Sequence, residues 1–312
     1  MRRIFIPKLY RNRAVLLRIL AAAAGMIVLF VCIFRLGAGT KQHPESSALC
    51  YPVEADGKVV QVEAAAYMAS CGIQAAREWA DENEAFRKAV CVMVNTNAWY
   101  LMQRSQAIPK DGYGMVWEEE TAVRKMYGDA LWEKWYDAAV QVQHQLICWR
   151  GKPILAAYHR SGFGITESAG VLWGVELPYL TWVRSGDMGQ TDSRRTFRFT
   201  KEQFIRSWGG ENAESLAGFR ITSRSAAGNV LTVRWGEEEM TGAEFAKRFG
   251  LPSMVFAAEQ DQDGMKLVCL GEGDGVGLSL YGAALLAQDG ADHAQILQRY
   301  YPGTRLISCK KA

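Results

Sequence analysis

Hydrophobic and polar positions change their spacing several times along the chain, and each change predicts an element. From residue 59 the pattern is helical, and residues 84–102 and 118–145 repeat apolar side chains at helical spacing. Apolar β-forming residues then stand on both sides of Gly151, which predicts a β-hairpin with its turn at that glycine. The order of elements predicts a mixed α/β domain of the α+β class.

Residues 196–256 have a pattern of their own. Thr200 begins a capping-box sequence before a helical stretch, and two alternating strands meet at Gly228 and Asn229, a typical turn pair. Thr241 then caps a short helix. This region is predicted to be a smaller α+β insertion in the main domain.

The first forty residues combine basic side chains with an uncharged apolar run, Ile19–Phe34. Arg18 and Arg35 flank the run, and their aliphatic stems extend its apolar length. Residues 1–40 are therefore predicted to be a basic cytoplasmic tail and a single-pass anchor in the cell membrane, with the bulk of the chain extracytoplasmic. A cleaved signal peptide is the alternative. Residues 41–58 are polar and contain prolines, which predicts a linker.

Composition and charge narrow the possible partners. The chain has 312 residues, of which 49% are hydrophobic and 22% charged, and a formal net charge of +3, so it can bury a core and has no nucleic-acid footprint. The candidate ligands for a metal ion are His144, Cys148 and His159. Their spacing is loose and no CxxC or HxxxH occurs, so no metal and no cofactor are predicted.

The stretch GEGDGVGLSLYGAALLA, residues 271–287, has a glycine at every second position before a small-residue helix. A phosphate-binding loop of the dinucleotide type would open a βαβ unit early in a domain, which this stretch does not. Alternating glycines form a strand-like loop that has no side chains on one face. Either a flat ligand or another part of the backbone can therefore lie against it.

Taken in order, these motifs resemble the stage II sporulation protein D family, which includes the amidase-enhancer proteins. Residues 271–304 resemble its C-terminal signature, a glycine-rich loop followed by a helix that ends in Tyr-Tyr-Pro-Gly-Thr. Residues 154–185 resemble its central segment, with a Ser/Gly loop, a Thr-Glu, a Trp and a Pro-Tyr-Leu. The resemblance covers residues 59–304 and leaves residues 305–312 as a tail.

Enzymes of this family are lytic transglycosylases, in which one glutamate protonates the glycosidic oxygen and then deprotonates the muramic 6-hydroxyl. The motif that carries this glutamate falls on Ala75 here. Glu78 and Glu84 are nearby replacements, with the alternative that both are solvated acids at a helix start. The resemblance thus implies a family member in which the catalytic acid is missing or has moved.

The resemblance also implies a peptidoglycan-binding groove. Asp274 stands where the family has a histidine, and Leu280 where it has a glutamine. The groove is expected to include His159, Ser161, Thr166, Glu167, Gly273, Asp274, Gly275, Ser279 and Tyr281.

The resemblance implies a protein that engages peptidoglycan glycan strands during endospore engulfment, with an amidase and a membrane scaffold protein as partners. Two alternatives are open at this stage. One is an active lytic transglycosylase, and the other is a septal protein-interaction module that lacks enzymatic activity.

Overall fold

The computed structural model describes residues 49–187, 193–209 and 216–308, which form a mixed α+β structure. The helices are α1 (Ala64–Ala76), α2 (Glu84–Met102), α3 (Glu120–Tyr127), α4 (Asp129–Val142), α5 (Ala169–Trp173), α6 (Lys201–Trp208), α7 (Gly242–Arg248), α8 (Leu280–Gln288) and α9 (His293–Tyr300). The strands are β1 (Cys50–Ala55), β2 (Lys58–Glu63), β3 (Ile108–Pro109), β4 (Gln145–Trp149), β5 (Lys152–Pro153), β6 (Tyr158–His159), β7 (Arg194–Thr200), β8 (Arg220–Arg224), β9 (Val230–Trp235), β10 (Glu238–Thr241), β11 (Phe256–Gln260), β12 (Gly264–Leu270), β13 (Leu278–Ser279) and β14 (Arg305–Ser308).

Helix α2 is the centre of the larger hydrophobic core, as its spacing predicts. It begins at the N-cap Asn83, whose side chain accepts a hydrogen bond from the Phe86 N–H, 3.1 Å away. Its apolar faces are buried against α1, α4 and α9. The α1–α4 contact is close because Gly72 lies directly against the ring of Trp135, where a larger residue would overlap it.

Polar side chains on the same helix fix the strands beside it. Asn97 donates to the Ala156 carbonyl oxygen at 2.9 Å and accepts from the Ala156 N–H at 2.8 Å. Thr96 accepts a hydrogen bond from the Ile147 N–H at 3.0 Å. These side chains are buried and fully used in holding the backbone, so the helix positions the segment that leads into β6.

The hairpin predicted around Gly151 is confirmed. Arg150 and Gly151 both have positive φ angles, 51° and 78°, which is the conformation that a tight two-residue hairpin turn requires. Strand β4 pairs with β5 on one side and with β14 on the other. The predicted C-terminal tail therefore contributes a strand, because its residues 305–308 complete the edge of this sheet.

Two further predictions need correction. The predicted linker ends before its stated boundary, since β1 and β2 form a hairpin in which Tyr51 and Val53 are fully buried. Pro52, which suggested a linker, lies within β1 itself, where buried and more exposed residues alternate. The predicted helix over 118–145 is two helices, because Gly128 separates α3 from α4 with a φ of 90°.

The predicted insertion contains a separate cluster of buried side chains, and the strands around this cluster extend beyond the predicted bounds. Strands β7 and β12 pair with each other, so the unit extends over 194–270 instead of 196–256. Its centre is an aromatic cluster in which Phe245 stacks on Phe249 and Phe256. The capping box at Thr200 and the N-cap at Thr241 are both confirmed. The turn pair lies between β8 and β9.

Among the described residues, no helix is both long and apolar enough to span a bilayer. The anchor predicted over residues 1–40 lies outside the described residues.

Candidate functional site

A groove runs along the outer side of the segment 157–161, and it consists of three depressions. The first lies among Glu78, Trp79, Arg160, Ser161, Glu272 and Tyr281. The second lies among Gln74, Ala75, Arg77, Tyr127, Tyr158 and Arg160. The third lies among Asn97, Tyr113, Tyr158, Trp173 and Asp274. Arg160 joins the first depression to the second, and Tyr158 joins the second to the third.

The depressions have volumes of about 190, 240 and 280 Å³. Each is smaller than the roughly 300–1,000 Å³ of a pocket that encloses a small molecule. Their arrangement in a row suits an extended ligand that crosses all three.

The alternation of β6 decides which side chains reach the groove. Tyr158 and Arg160 are two residues apart and face outward, whereas His159 between them faces inward and is only 4% exposed. The Tyr158 hydroxyl donates to the Gly114 carbonyl oxygen at 2.7 Å, which fixes its ring. His159, which was expected to line the groove, therefore lies beneath it, and its two neighbours line it instead.

The glycine-rich loop, residues 271–278, packs its backbone against the segment 157–162. Strand β13 pairs in parallel with β6, and Ser161 and Glu272 form an antiparallel bridge. A Cβ atom at Gly271 would lie 2.7 Å from the Ser161 carbonyl oxygen, and one at Gly277 would overlap the Ala157 carbonyl oxygen. The alternating glycines are thus explained by close approach of the chain's own backbone.

A buried carboxylate holds the loops beneath the groove together. Asp187 is 1% exposed and accepts hydrogen bonds from the Gly162 N–H at 2.8 Å and the Gly164 N–H at 2.9 Å. It also accepts from the Ser279 hydroxyl at 2.6 Å. Ser279 in turn caps α8 by accepting from the Gly282 N–H at 3.1 Å. Ser279, predicted to contact a ligand, is therefore fully buried and structural.

His159 lies in the same buried layer. Its Nδ1 is 3.3 Å from the Val276 carbonyl oxygen, and within the described part of the chain its buried Nε2 has no hydrogen-bond partner. Burial lowers the pKa of His159, an effect that the carboxylates of Asp274 and Asp187 oppose in part. A histidine with this pKa shift is neutral at pH 7.

Thr166 and Glu167 are also buried instead of exposed. The Thr166 hydroxyl donates to the Thr181 carbonyl oxygen at 3.2 Å and accepts from the Val183 N–H at 2.9 Å. Glu167 accepts from the Asn229 side-chain amide at 3.0 Å, which links the main domain to the turn of the insertion. Both side chains are used in holding the loop, so neither contacts the groove.

No family model matches the chain. Over 195 residues it is 28% identical to Stage II sporulation protein D of Bacillus subtilis (strain 168), a match that covers 61% of this chain and 57% of that protein. It is 27% identical over 192 residues to Stage II sporulation protein D of Bacillus amyloliquefaciens, covering 60% and 56%. An Amidase enhancer of Bacillus subtilis (strain 168) is 23% identical over 262 residues, 66% of this chain and 37% of that protein.

The chain is a divergent member of the stage II sporulation protein D family. The matches span less than three fifths of the length of its two sporulation-protein relatives.

Three of the predicted groove residues line it: Ser161, Asp274 and Tyr281. Asp274 accepts a hydrogen bond from the Trp173 indole N–H at 3.0 Å, across the third depression. Gly273 and Gly275 belong to the glycine-rich loop and line none of the three depressions.

The acid candidates have the wrong environment for a general acid. Burial raises the pKa of Glu78, but its hydrogen bond to Arg160 and the attraction of that guanidinium outweigh burial, so the net pKa is lowered. A hydrogen bond from Lys88, 2.7 Å away, likewise lowers the pKa of Glu84, which lies in the first turn of α2 and lines none of the depressions. Proton donation at neutral pH requires a raised pKa.

Ala75 lies on the wall of the second depression, where the family motif has its acid. Among the residues that the structure describes, the carboxylates that line this groove are Glu78, Glu272 and Asp274, and each has a partner. Glu272 is 3.2 Å from Arg160 and 3.0 Å from Arg195. Among the described residues, no group of three or more His, Cys, Asp or Glu side chains is placed to hold a metal ion.

Sequence reasoning missed the aromatic and basic side chains of the groove. Trp79 stacks on Tyr281 with ring centroids 5.3 Å apart, and the Arg160 guanidinium lies 4.9 Å from the Trp79 ring. Trp173 and Tyr113 stand 39% and 51% exposed at the third depression. The sequence carried no signal for Arg160, because β6 comprises only Tyr158 and His159 and its spacing does not show which face is buried.

Proposed function

We propose that this chain binds peptidoglycan glycan strands in the groove during endospore formation and does not cleave them. Residues 1–40 would anchor it in the cell membrane, with the groove on the extracytoplasmic side. Its partners in this proposal are an amidase and a membrane scaffold protein, as the family resemblance implies. Family membership supports the link to sporulation and the cell wall.

The observation that carries the proposal is the third depression. Trp173 and Tyr113 offer exposed aromatic surface there, and Asp274 offers a carboxylate whose Oδ2 accepts from the Trp173 indole. Aromatic rings bind the apolar faces of sugar rings, while a fixed carboxylate accepts from their hydroxyl groups. Leu155 and Ala157 complete an apolar wall that suits an N-acetyl methyl group.

The absence of cleavage follows from the acids. The chemistry of a lytic transglycosylase requires a carboxyl group that is protonated near neutral pH and faces the glycosidic oxygen. Ala75 has no carboxyl group, and Glu78 is held ionised by Arg160. The groove thus has the means to bind a glycan strand but lacks a suitably placed proton donor.

The binding test uses the full-length chain in detergent micelles and purified sacculi. Trp173→Ala is expected to weaken sedimentation with sacculi about tenfold, since an aromatic contact contributes roughly 0.5–1.5 kcal/mol. Trp182→Ala is the matched control, because Trp182 is 62% exposed and lines none of the depressions. If the wild-type chain fails to sediment with sacculi but still captures protein partners, a protein-interaction module is the better description.

The cleavage test digests amidase-treated and untreated peptidoglycan and measures anhydromuramic products by mass spectrometry. No products are expected. Products that disappear in Glu78→Gln or Glu84→Gln would contradict the proposal and identify a displaced acid.

A further inference from the structure

The second depression carries positive charge where the family motif has a carboxylic acid. Arg77 and Arg160 both line it, and none of its lining residues is acidic. Ala75, where the resemblance places the family's acid, lines the same depression as these arginines and Tyr158. Replacing a carboxyl group by a methyl group beside two guanidinium groups reverses the kind of ligand group that the depression favours.

Arg77 is the available charge of this pair. Arg77 is exposed and forms no ion pair with a carboxylate of the described residues, although its charge helps to lower the pKa of the neighbouring Glu78. Arg160, by contrast, is bound to Glu78 and to Glu272, 3.2 Å away. Glu78 is thus the chain's own example of a carboxylate held by a guanidinium at this groove.

The backbone at Arg77 is held in an unusual conformation. Its φ is 47° and its ψ is −111°, a region that non-glycine residues rarely adopt. The Arg77 N–H donates to the Ile73 carbonyl oxygen, so this conformation ends α1. Strained residues of this kind persist where the surroundings hold them, and they cluster at ligand-binding sites.

The remaining groups of the second depression are fixed by hydrogen bonds. The Gln74 side chain donates to the Val116 carbonyl oxygen at 2.8 Å, and the Tyr158 hydroxyl donates to Gly114. The Tyr158 oxygen and ring therefore keep one position beside the two guanidinium groups.

We propose that the second depression is an anion site, in which Arg77 binds a carboxylate of the peptidoglycan ligand while Arg160, paired with Glu78 and Glu272, lines the same depression. The proposal rests on the proposed function and specifies which chemical group of the ligand the groove recognises. A guanidinium presents two parallel N–H donors that match the two oxygens of a carboxylate. Peptidoglycan offers such groups on its peptides and on muramic acid residues from which the peptide has been removed.

The experiment compares ligands that differ only in charge. Isothermal titration calorimetry measures binding of the N-acetylglucosamine–N-acetylmuramic acid disaccharide, with a free lactyl carboxylate, and of its methyl ester to the full-length chain in micelles. A free stem peptide and its carboxyl-amidated form make a second pair, which distinguishes the two sources of carboxylate. The wild-type chain is expected to prefer the carboxylate form of one pair about tenfold.

Arg77→Gln is expected to abolish that preference, so that the charged form binds about as weakly as the uncharged form does. Arg77→Lys keeps the charge without the paired donors and is expected to retain part of the preference. Arg220→Gln is the matched control, an exposed arginine on β8 that lines none of the depressions, and it should keep the full preference.

Two results would overturn the inference. Equal binding of the charged and uncharged forms by the wild-type chain would do so, as would a preference that Arg77→Gln leaves unchanged. In both cases binding of the saccharide and of sacculi would leave the proposed function standing. Failure of the wild-type chain to bind any of the ligands or sacculi would overturn the proposed function and this inference together.

Discussion

Two walls of the groove are held in place by different forces. The glycine-rich loop packs its backbone directly on the segment 157–162, so close packing of the two backbones holds the loop in place. The opposite wall, residues 74–79 at the end of α1 and in the turn after it, is joined to the groove by the ion pair between Glu78 and Arg160 and by the stacking of Trp79 on Tyr281, and the Glu78 side chain is 56% exposed. The first wall tolerates almost no added atom, whereas the second allows changes in side-chain chemistry.

Because of this difference, the residues that form the groove are not the residues that determine its chemistry. Residues buried under the loop, such as His159 and Asp187, determine whether the groove exists. Residues at the end of α1 and just after it, such as Ala75 and Arg77, determine what the groove binds. A family member can therefore keep the groove and lose the acid, because the two depend on different side chains.

The largest expected effect is on the tightly packed wall. Gly277→Ala should lower the free energy of unfolding by about 3 kcal/mol, since a positive φ costs an L-residue about 1–2 kcal/mol and overlap with the Ala157 carbonyl adds about 1–3 kcal/mol. Gly303→Ala is the matched control, with a φ of 74° and no atom within 4 Å of an added Cβ. Denaturant unfolding measures both, and equal losses would contradict the role of close approach.

The next effect concerns the buried carboxylate. Asp187→Ala should lower the free energy of unfolding by about 2–3 kcal/mol, because it leaves the donors of Gly162, Gly164 and Ser279 without their acceptor in a buried place. Asp137→Ala, on the exposed side of α4, should change it by less than about 0.5 kcal/mol. Similar values for the two variants in urea unfolding would show that Asp187 does not hold the loops.

A smaller effect depends on pH. Because burial lowers the pKa of His159, the unfolded chain takes up a proton more readily than the folded one, and stability falls as the pH drops below about 6.5. One such group contributes at most about 1.4 kcal/mol per pH unit. His159→Asn should therefore flatten the loss of stability between pH 7 and pH 5.

His293→Gln is the control for this measurement, since burial also lowers the pKa of His293, which is half-buried. It should flatten the curve less than the His159 variant does. Unfolding curves of His159→Asn that run parallel to the wild type over this pH range would contradict the prediction.

The smallest effect is on the exposed wall. Glu78→Gln should change the free energy of unfolding by less than about 0.5 kcal/mol at pH 7, because its ion pair is largely solvated. The pKa of Glu78 is lower in the folded chain than in the unfolded chain. The ion pair therefore stabilises the fold at pH values above the ordinary pKa of glutamate, and this stabilisation is lost as the pH falls through the folded-state pKa. Urea unfolding at low and high salt measures this change in the free energy of unfolding. A loss above about 1.5 kcal/mol in Glu78→Gln would show that the exposed wall depends on its side chains as strongly as the packed wall does.

The sequence by itself determined the elements that depend on near neighbours. Helix α2, the hairpin at Gly151, the capping box at Thr200 and the N-cap at Thr241 all follow from spacing and from residues within a few positions. The glycine-rich loop was also recognisable as a place where another chain segment or a ligand approaches closely. Local conformational preferences act over a few residues, so they can be read along the chain.

Only the tertiary structure decided which side chains reach the groove. Whether His159 or Arg160 faces outward depends on which side of β6 meets the core, and β6 pairs with β13, more than a hundred residues away. The same holds for Asp187, whose partners lie at Gly162, Gly164 and Ser279. Spacing within a two-residue strand carries no information on which face is buried, because burial is set by the distant segments packed against it.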